Sequence, residues 1–444
     1  MFLKRSDALT GWTGCHIILS VYNGKPHASG GRKMFAPFHD PLVIALEDEY
    51  LGLSTDLGFH NVTARTSKDL QEWSGPFPLL PETPASVTRH VGTDHFWAPE
   101  LVKRGNVWRL YYCASRPGKT CSVIGLAESA NPKGPYFYKG DVVVSQHSDT
   151  FTQANAIDPC VCADRERKDW LIYGSFFGGI RILPLNDEGF PTEYHEGKRI
   201  AGGNHQAIEG AYVWYHAPSD RFVLFTSWGD LGRDYHIRVA YSKEIDGPYE
   251  DSQGYVMTDL DPNHHPGDKL CGGYNFDIPG LLKPLDLTGM PVHPGRPPMP
   301  PKIELSGVKA TGHSSLLHDR DGSVYLVHHA RPEGRMGPPF LQIRRLLFAA
   351  DGRALAWPLT VGDPLMAAEE LPEKWRMVYL SRCNSDVVYG RPVTLAQAQA
   401  VREGDTIRMQ LFCKEWSGVV YRQGDRIACT LLSRDGEALW GVAE

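Results

Sequence analysis

Apolar and polar residues alternate with a period of two in five stretches of the chain. These are EYLGLSTD from Glu49, VWRLYYCAS from Val107, DWLIYGSF from Asp169, RFVLFTSW from Arg221 and SVYLVHHA from Ser323, all rich in aromatic and β-branched residues. That pattern predicts strands with one face buried. A second short apolar run precedes each of them: HDPLVIA from His39, WAPELV from Trp97, IDPCVC from Ile157, EGAYVW from Glu209 and GHSSLLH from Gly312. Turn signals (LED, RGN, DRERKD, PSD, DRDG) separate the two runs of each pair, so the chain carries five predicted hairpins.

A third element recurs behind three of the hairpins. ARTSKDLQEW from Ala64, LAESANPKGPY from Leu126 and VAYSKEIDGPY from Val239 share a small residue, a serine and then a turn carrying Trp or Gly-Pro-Tyr. Hairpin, third strand and edge strand make a four-stranded blade, and radial repetition of blades leaves only short, protected edges. The fold class predicted is all-β: a five-bladed β-propeller over residues 1–360, then a small β-barrel or sandwich over 370–444. Trp108 to Trp170 is 62 residues and Trp170 to Phe222 is 52, but Phe222 to Tyr325 is 103. About fifty extra residues therefore lie between the fourth and fifth hairpins, by comparison with an ordinary blade repeat. They include HPGRPPMPPK from His293, read as an extended inter-blade loop because proline cannot donate to a sheet. AAEELPEKW from Ala367 reads as a linker to the C-terminal strands.

Composition narrows the class of partner. The net charge of −6 is small for 444 residues and Lys and Arg are scattered, which argues against nucleic acid or an anionic membrane surface and for a neutral ligand. No run approaches the roughly 18 apolar residues of a membrane span. The start, MFLKRSDALTGWTG, lacks the apolar core of about 7–15 residues of a secretory leader. The expected location is the cytoplasm, or outside the cell if a leader has been removed. The nine cysteines are scattered and read as buried structural thiols.

Residues at the start of a blade's inner strand converge on one mouth of the central channel. Asp40, Glu100, Asp158, Glu209 and His313 are placed there by the hairpin pattern. Ionised groups are costly where hydration is lost unless paired or working, so four carboxylates in otherwise apolar hairpins point to chemistry. A single Asp-Pro turn is ordinary by itself.

HDPLV, WAPEL, NAIDP with GSFFGGI, IEGAY and GHSS together resemble glycoside hydrolase family 43, and most nearly its arabinan endo-1,5-α-L-arabinosidase branch, over residues 35 to 358. The resemblance implies an inverting glycosidase acting on arabinan, a plant cell-wall polysaccharide, by endo or exo cleavage. Asp40 would be the general base, Glu209 the general acid, and Asp158 the group that orients Glu209 and raises its pKa. Inversion needs an acid and a base on opposite faces of the sugar, about 6.5–9.5 Å apart, which opposite sides of a propeller channel can supply. The resemblance further implies that His313 ligates a calcium ion at the propeller axis through a mostly aqueous shell. On its own chemistry a lone histidine is an unusual calcium ligand.

Sugar binding needs an aromatic platform and a few polar groups. Trp97, Asn155, Ser175 and Phe176 lie beside the motif residues, with His39 and His329 behind them. Glu100 and Phe177 depart from the Asp and Trp common at those places in the resembled branch. RPGKT lacks the first glycine of a phosphate loop, and no HExxH, GxSxG or full calcium-loop series occurs. The alternatives within enzymes are an arabinofuranosidase or xylosidase of the same family and a retaining fructan hydrolase; the latter is expected to carry Glu-Cys where this chain has Glu209–Gly210. From another class comes a non-catalytic glycan-binding propeller. A monomer is expected.

Overall fold

A computed structural model of the protein describes residues 37–444, apart from 57, 147–151, 194, 289–299, 335–336 and 384. The N-terminal stretch read for a leader and most of the proline-rich segment from His293 lie outside the described residues.

All five predicted hairpins form. Their inner strands are Leu42–Ala45, Glu100–Arg104, Cys160–Ala163, Ile208–His216 and Val308–His318, each paired antiparallel with the expected second strand. Four blades are four-stranded sheets running outward in chain order. The fifth carries six strands, because Tyr274–Asn275 and Val388–Tyr389 add beyond its inner strand. The long insertion before the fifth hairpin is thereby explained: it supplies the outer strand Asp268–Cys271 of blade four and then a strand of blade five.

Blades one and five close the ring without sharing a strand. Ser315 Oγ donates to the Pro41 carbonyl at 2.7 Å, and Arg320 donates to the carbonyls of Leu46 and Glu49 at 2.6 Å each while lying 4.3 Å from the Tyr50 ring centroid. Behind these polar contacts Val43, Tyr50, Leu317, Val327 and Ile343 form one buried apolar cluster. Burial of side chains from both ends of the propeller is what makes the ring hold.

The C-terminal unit is a single curled antiparallel sheet rather than a two-sheet sandwich. Its order is Arg391–Thr394, Lys374–Leu380, Ala438–Ala443, Arg426–Ser433, Lys414–Gln423, Thr406–Leu411, Val401–Glu403. Leu365–Ala367 pairs with Tyr421–Gln423, so this unit begins ahead of residue 370. Trp375, expected in the linker, is wholly buried in its core with Trp416. The unit is fastened to the propeller: Trp440, Val378 and Leu380 join the buried cluster of blades four and five, and Arg382 pairs with Asp251 and, at 3.0 Å, with Asp268.

Leu317 is fully buried at the ring closure. Leu317→Ala is expected to cost about 2–5 kcal/mol, read as a lowered urea midpoint with little change in slope.

Candidate active site

The mouth of the channel is built by an irregular backbone. Asp40, Asp158 and His313 have φ of 51°, 56° and 51°, and Gly210, next to Glu209, has φ 56°. Left-handed backbone is disfavoured for residues with a Cβ, less so for Asp, Asn and His, and such strain concentrates at working sites. These turns break each inner strand's regular pairing where it enters the channel; the register shifts near Glu209 and His313 mark the same places.

The cluster is organised by His313. Its Nδ1 lies 3.0 Å from Asp40 Oδ1, and its backbone N–H donates to Ser227 Oγ at 2.7 Å. Burial alone would discharge this imidazole, but Asp40 and Asp158 outweigh it and raise the group to about 9. Asp40 is correspondingly the anion of the site. Burial pushes its carboxyl up, yet His313 and then His39 pull it further down, to well below the ordinary range. Thr55 Oγ1 donates to Asp40 Oδ2 at 2.5 Å.

The other two carboxyls shift the opposite way. Asp158 is raised to about 7, first by burial and then, against His313, by Glu209 and Asp40. Glu209 is raised by burial and, against His313, by the charge on Asp40. Asp158 and Glu209 are neighbours in one dry site, so a charge on either disfavours a charge on the other. Asp158 Oδ2 accepts the backbone N–H of Gly210 at 3.0 Å and so fixes the peptide that carries Glu209. Ser175 Oγ and Tyr235 OH each lie 2.9 Å from one oxygen of Glu209.

Two glycines make this geometry possible. A Cβ on Gly312 would lie 2.1 Å from the Tyr235 ring, and one on Gly210 would lie 3.1 Å from the His313 ring. The GH of GHSS thus leaves room for the tyrosine that holds Glu209, and the EG of IEGAY leaves room for the histidine that charges Asp40.

The sequence-predicted residues divide into four groups. Asp40, Asp158, Glu209 and His313 come together. Ser175 reaches Glu209, whereas Asn155 is buried with its Oδ1 accepting from Ser122 Oγ at 2.5 Å. Phe176 and Trp97 are partly exposed, Phe176 at a left-handed φ of 47°. His39 and His329 lie behind Asp40 rather than on the cleft wall. His329 is wholly buried, and its Nδ1 accepts the Asp40 N–H at 3.2 Å; His39 Nδ1 is 3.3 Å from Asp40 Oδ2. Both rings are placed to orient the base, and His39 is buried about as deeply as Asp40 itself.

Glu100 corrects the alignment of the blades. Pro41, Pro99 and Pro159 follow Asp40, Ala98 and Asp158, so Ala98 holds the equivalent place in blade two. Glu100 sits two residues further along the strand, on the same face and about 6–7 Å deeper. Its carboxyl, raised to about 7 by burial, accepts the N–H groups of Leu101 and Val161. Tyr235 is the residue sequence reasoning missed; it lies in the loop after a second strand, outside every repeated motif.

Over residues 35–272, more than half of the chain, the sequence matches the family described as Glycosyl hydrolases family 43. The chain belongs to that family. It is 28% identical to the extracellular endo-α-(1→5)-L-arabinanase 2 of Bacillus subtilis, covering 91% of this chain and 92% of that protein. It superposes on the endo-1,5-α-L-arabinanase of Thermotoga petrophila with a TM-score of 0.80 at 26% identity, covering 93% of this chain and all of that one. A Cellvibrio cellulosa α-L-arabinanase solved with arabinohexaose matches at 26% identity and TM-score 0.58, over 72% of this chain and 96% of that one. In this family 43 chain the three carboxylates expected to work are therefore one low-pKa anion and two raised neighbours around one imidazolium.

The Tyr235 hydroxyl stabilises ionised Glu209 by donating to it. Tyr235→Phe is expected to move the alkaline limb of the kcat/KM profile to higher pH while lowering the maximum. An unchanged limb would refute the contact's role.

Proposed function

We propose that the protein hydrolyses α-1,5-linked L-arabinofuranosyl bonds of arabinan with inversion at the anomeric carbon. The observation that carries this reading is the opposite displacement of two carboxyls in one site, Asp40 down and Glu209 up. One carboxyl ready to accept a proton and another ready to give one is the requirement of inverting glycoside hydrolysis. Glu209 transfers its proton to the glycosidic oxygen as that bond breaks. Asp40 removes a proton from the water that attacks the anomeric carbon from the other face. Asp158 keeps Glu209 in place and protonated. The two carboxyls then exchange protons with water before the next turnover.

The arabinan assignment rests on the named relatives, and the endo mode on their coverage. The B. subtilis and T. petrophila proteins, both named endo-arabinanases, match across the C-terminal sheet as well as the propeller. Trp97 and Phe176, the partly exposed aromatics beside the motifs, are the candidates for stacking on sugar rings. The two relatives matched along nearly the whole sequence are named extracellular, which suits a substrate too large to enter a cell; we read this chain as acting outside the cell too. Among the described residues no helix is long and apolar enough to cross a membrane.

A calcium ion suits His313 once the ring is neutral: with the remaining proton on Nδ1 directed to Asp40 Oδ1, Nε2 would be a ligand, water would complete the oxygen shell that calcium prefers, and the charge of the ion would take the place of the imidazolium's beside Asp40.

Three measurements test the reading. Asp40→Asn and Glu209→Gln are each expected to stay folded and lose activity by orders of magnitude; near wild-type turnover in either sinks the assignment. Debranched linear arabinan is expected to yield short oligosaccharides whose first-formed anomer, followed by NMR, is inverted. Release of single sugars only, or activity on xylan or aryl arabinofuranosides, would point to the arabinofuranosidase or xylosidase reading, and retention would rule out the mechanism. Chelation is expected to lower the rate and added calcium to restore it, with metal analysis showing the equivalent lost in His313→Ala.

Rate against pH has a definite sign. Activity falls on the acid side as Asp40 gains a proton, at a pH below the usual carboxylate range, and on the alkaline side as Glu209 loses one, above it. Glu209→Gln should abolish the alkaline limb for substrates whose leaving group needs no protonation.

A further inference from the structure

A second cluster of ligating side chains lies on the rim, where the loop between the second and third strands of blade one meets the loop entering blade two. It comprises Asp56, His60, Asp94 and His95. One ligating atom from each of Asp56, His60 and His95 lies within 4.8 Å of the other two. The site is joined to the catalytic wall on both sides: Thr55, which donates to Asp40, precedes Asp56, and Asp56 N–H donates to the carbonyl of Phe96, next to Trp97.

The two carboxylates set the orientation of the two rings. Asp56 is fully buried, and its Oδ1 accepts from the backbone N–H groups of Gly58 and Phe59 at 2.8 and 2.5 Å. Its Oδ2 accepts from His60 N–H at 3.0 Å and faces His95 Nδ1 at 3.1 Å. His60 Nδ1 in turn lies 2.9 Å from Asp94 Oδ1. Each imidazole thus has its Nδ1 set against a different carboxylate. The ring centroids are 4.7 Å apart with planes inclined by 32°.

Surface His–Asp pairs are common and ordinarily mean nothing more than a salt bridge. Two such pairs with the rings face to face are different. Two charged imidazoliums at that distance would repel, whereas two neutral rings beside Asp56 can share one cation, since a ligating atom from each of the three lies within 4.8 Å of the others. A carboxylate on the far nitrogen is the arrangement that fixes the tautomer and raises the basicity of a metal-binding histidine. Imidazole pairs select borderline divalent ions of the zinc, nickel and copper class rather than calcium or magnesium.

We propose that Asp56, His60 and His95 bind a divalent transition-metal ion of the zinc class, one ligating atom from each, with Asp94 as the carboxylate behind His60 and water completing the shell. Metal–nitrogen bonds of about 2.0–2.1 Å require the rings to close slightly, and His60, at 44% side-chain exposure, has room to turn. The ion ties the loop of blade one to that of blade two beside Asp40 and Trp97. The site is separate from His313 and does not depend on the identity of the sugar.

The test uses the full-length protein stripped of metal and kept in excess calcium, titrated with zinc by calorimetry and with cobalt by its visible d–d absorption. Wild type is expected to bind one zinc and to melt at a higher temperature with it. His60→Gln and His95→Gln should each lose that equivalent, the d–d bands and the melting shift. Asp94→Asn should keep the stoichiometry with affinity lower by about 10–100-fold, the usual effect of removing the carboxylate behind a ligand. The proposal is overturned if wild type binds no zinc, or if the His60→Gln/His95→Gln double variant binds it undiminished. In the latter case the metal belongs to the buried cluster of His39, Asp40 and His329 and would inhibit hydrolysis.

Discussion

The contact between His313 and Asp40 governs the rest of the site. A carboxylate stripped of most of its hydration is unfavourable unless a positive group stands beside it, and an imidazolium in the same place is unfavourable unless carboxylates surround it. Each therefore sustains the other's charge. The pair also sets the remaining two carboxyls apart: with one negative charge already compensated at Asp40, further ionisation at Asp158 and Glu209 is resisted by burial and by like charge. Division of labour between chemically similar groups follows from where the single cation points.

Holding four such groups at one mouth demands a backbone that regular strands do not provide. Left-handed residues at Asp40, Asp158 and His313 each oppose local preference, and they persist because the surrounding blades over-determine them. Gly210 and Gly312 contribute by what they lack: a Cβ would press on the His313 ring at the first and collide with the Tyr235 ring at the second. The same logic explains the buried histidines. His39 and His329 pack against Asp40 through their Nδ1 atoms, where they hold the carboxylate and its backbone in one orientation.

The C-terminal sheet is more than an appendage to this arrangement. Val388–Tyr389 lies parallel to Tyr274–Asn275 within blade five's own sheet, and Arg382 neutralises two acidic residues of blade four. Buried Trp440 and Trp357 belong to one apolar cluster across the boundary. A propeller whose blades one and five share no strand gains from a second body that grips blades four and five together.

Much of this was legible in the residues. Period-two alternation and repeated turns located all five hairpins, because a strand with one wet face must alternate and a hairpin must turn. The motif residues Asp40, Asp158, Glu209 and His313 were found because their chemistry is out of place in apolar hairpins. Position along a repeat was less certain: the Asp-Pro and Ala-Pro steps show that Glu100 lies one layer below the others, a distinction of two residues that composition does not reveal. Other features depend on contacts between segments far apart in the chain. Tyr235 meets Glu209, and His60 meets His95, only after the blades are placed around a common axis, and whether His329 faces a sugar or the back of a carboxylate is decided by what packs against it. Local sequence determines which way a strand's side chains alternate, but burial, and with it the sign of every pKa shift at the site, is a property of the assembled ring.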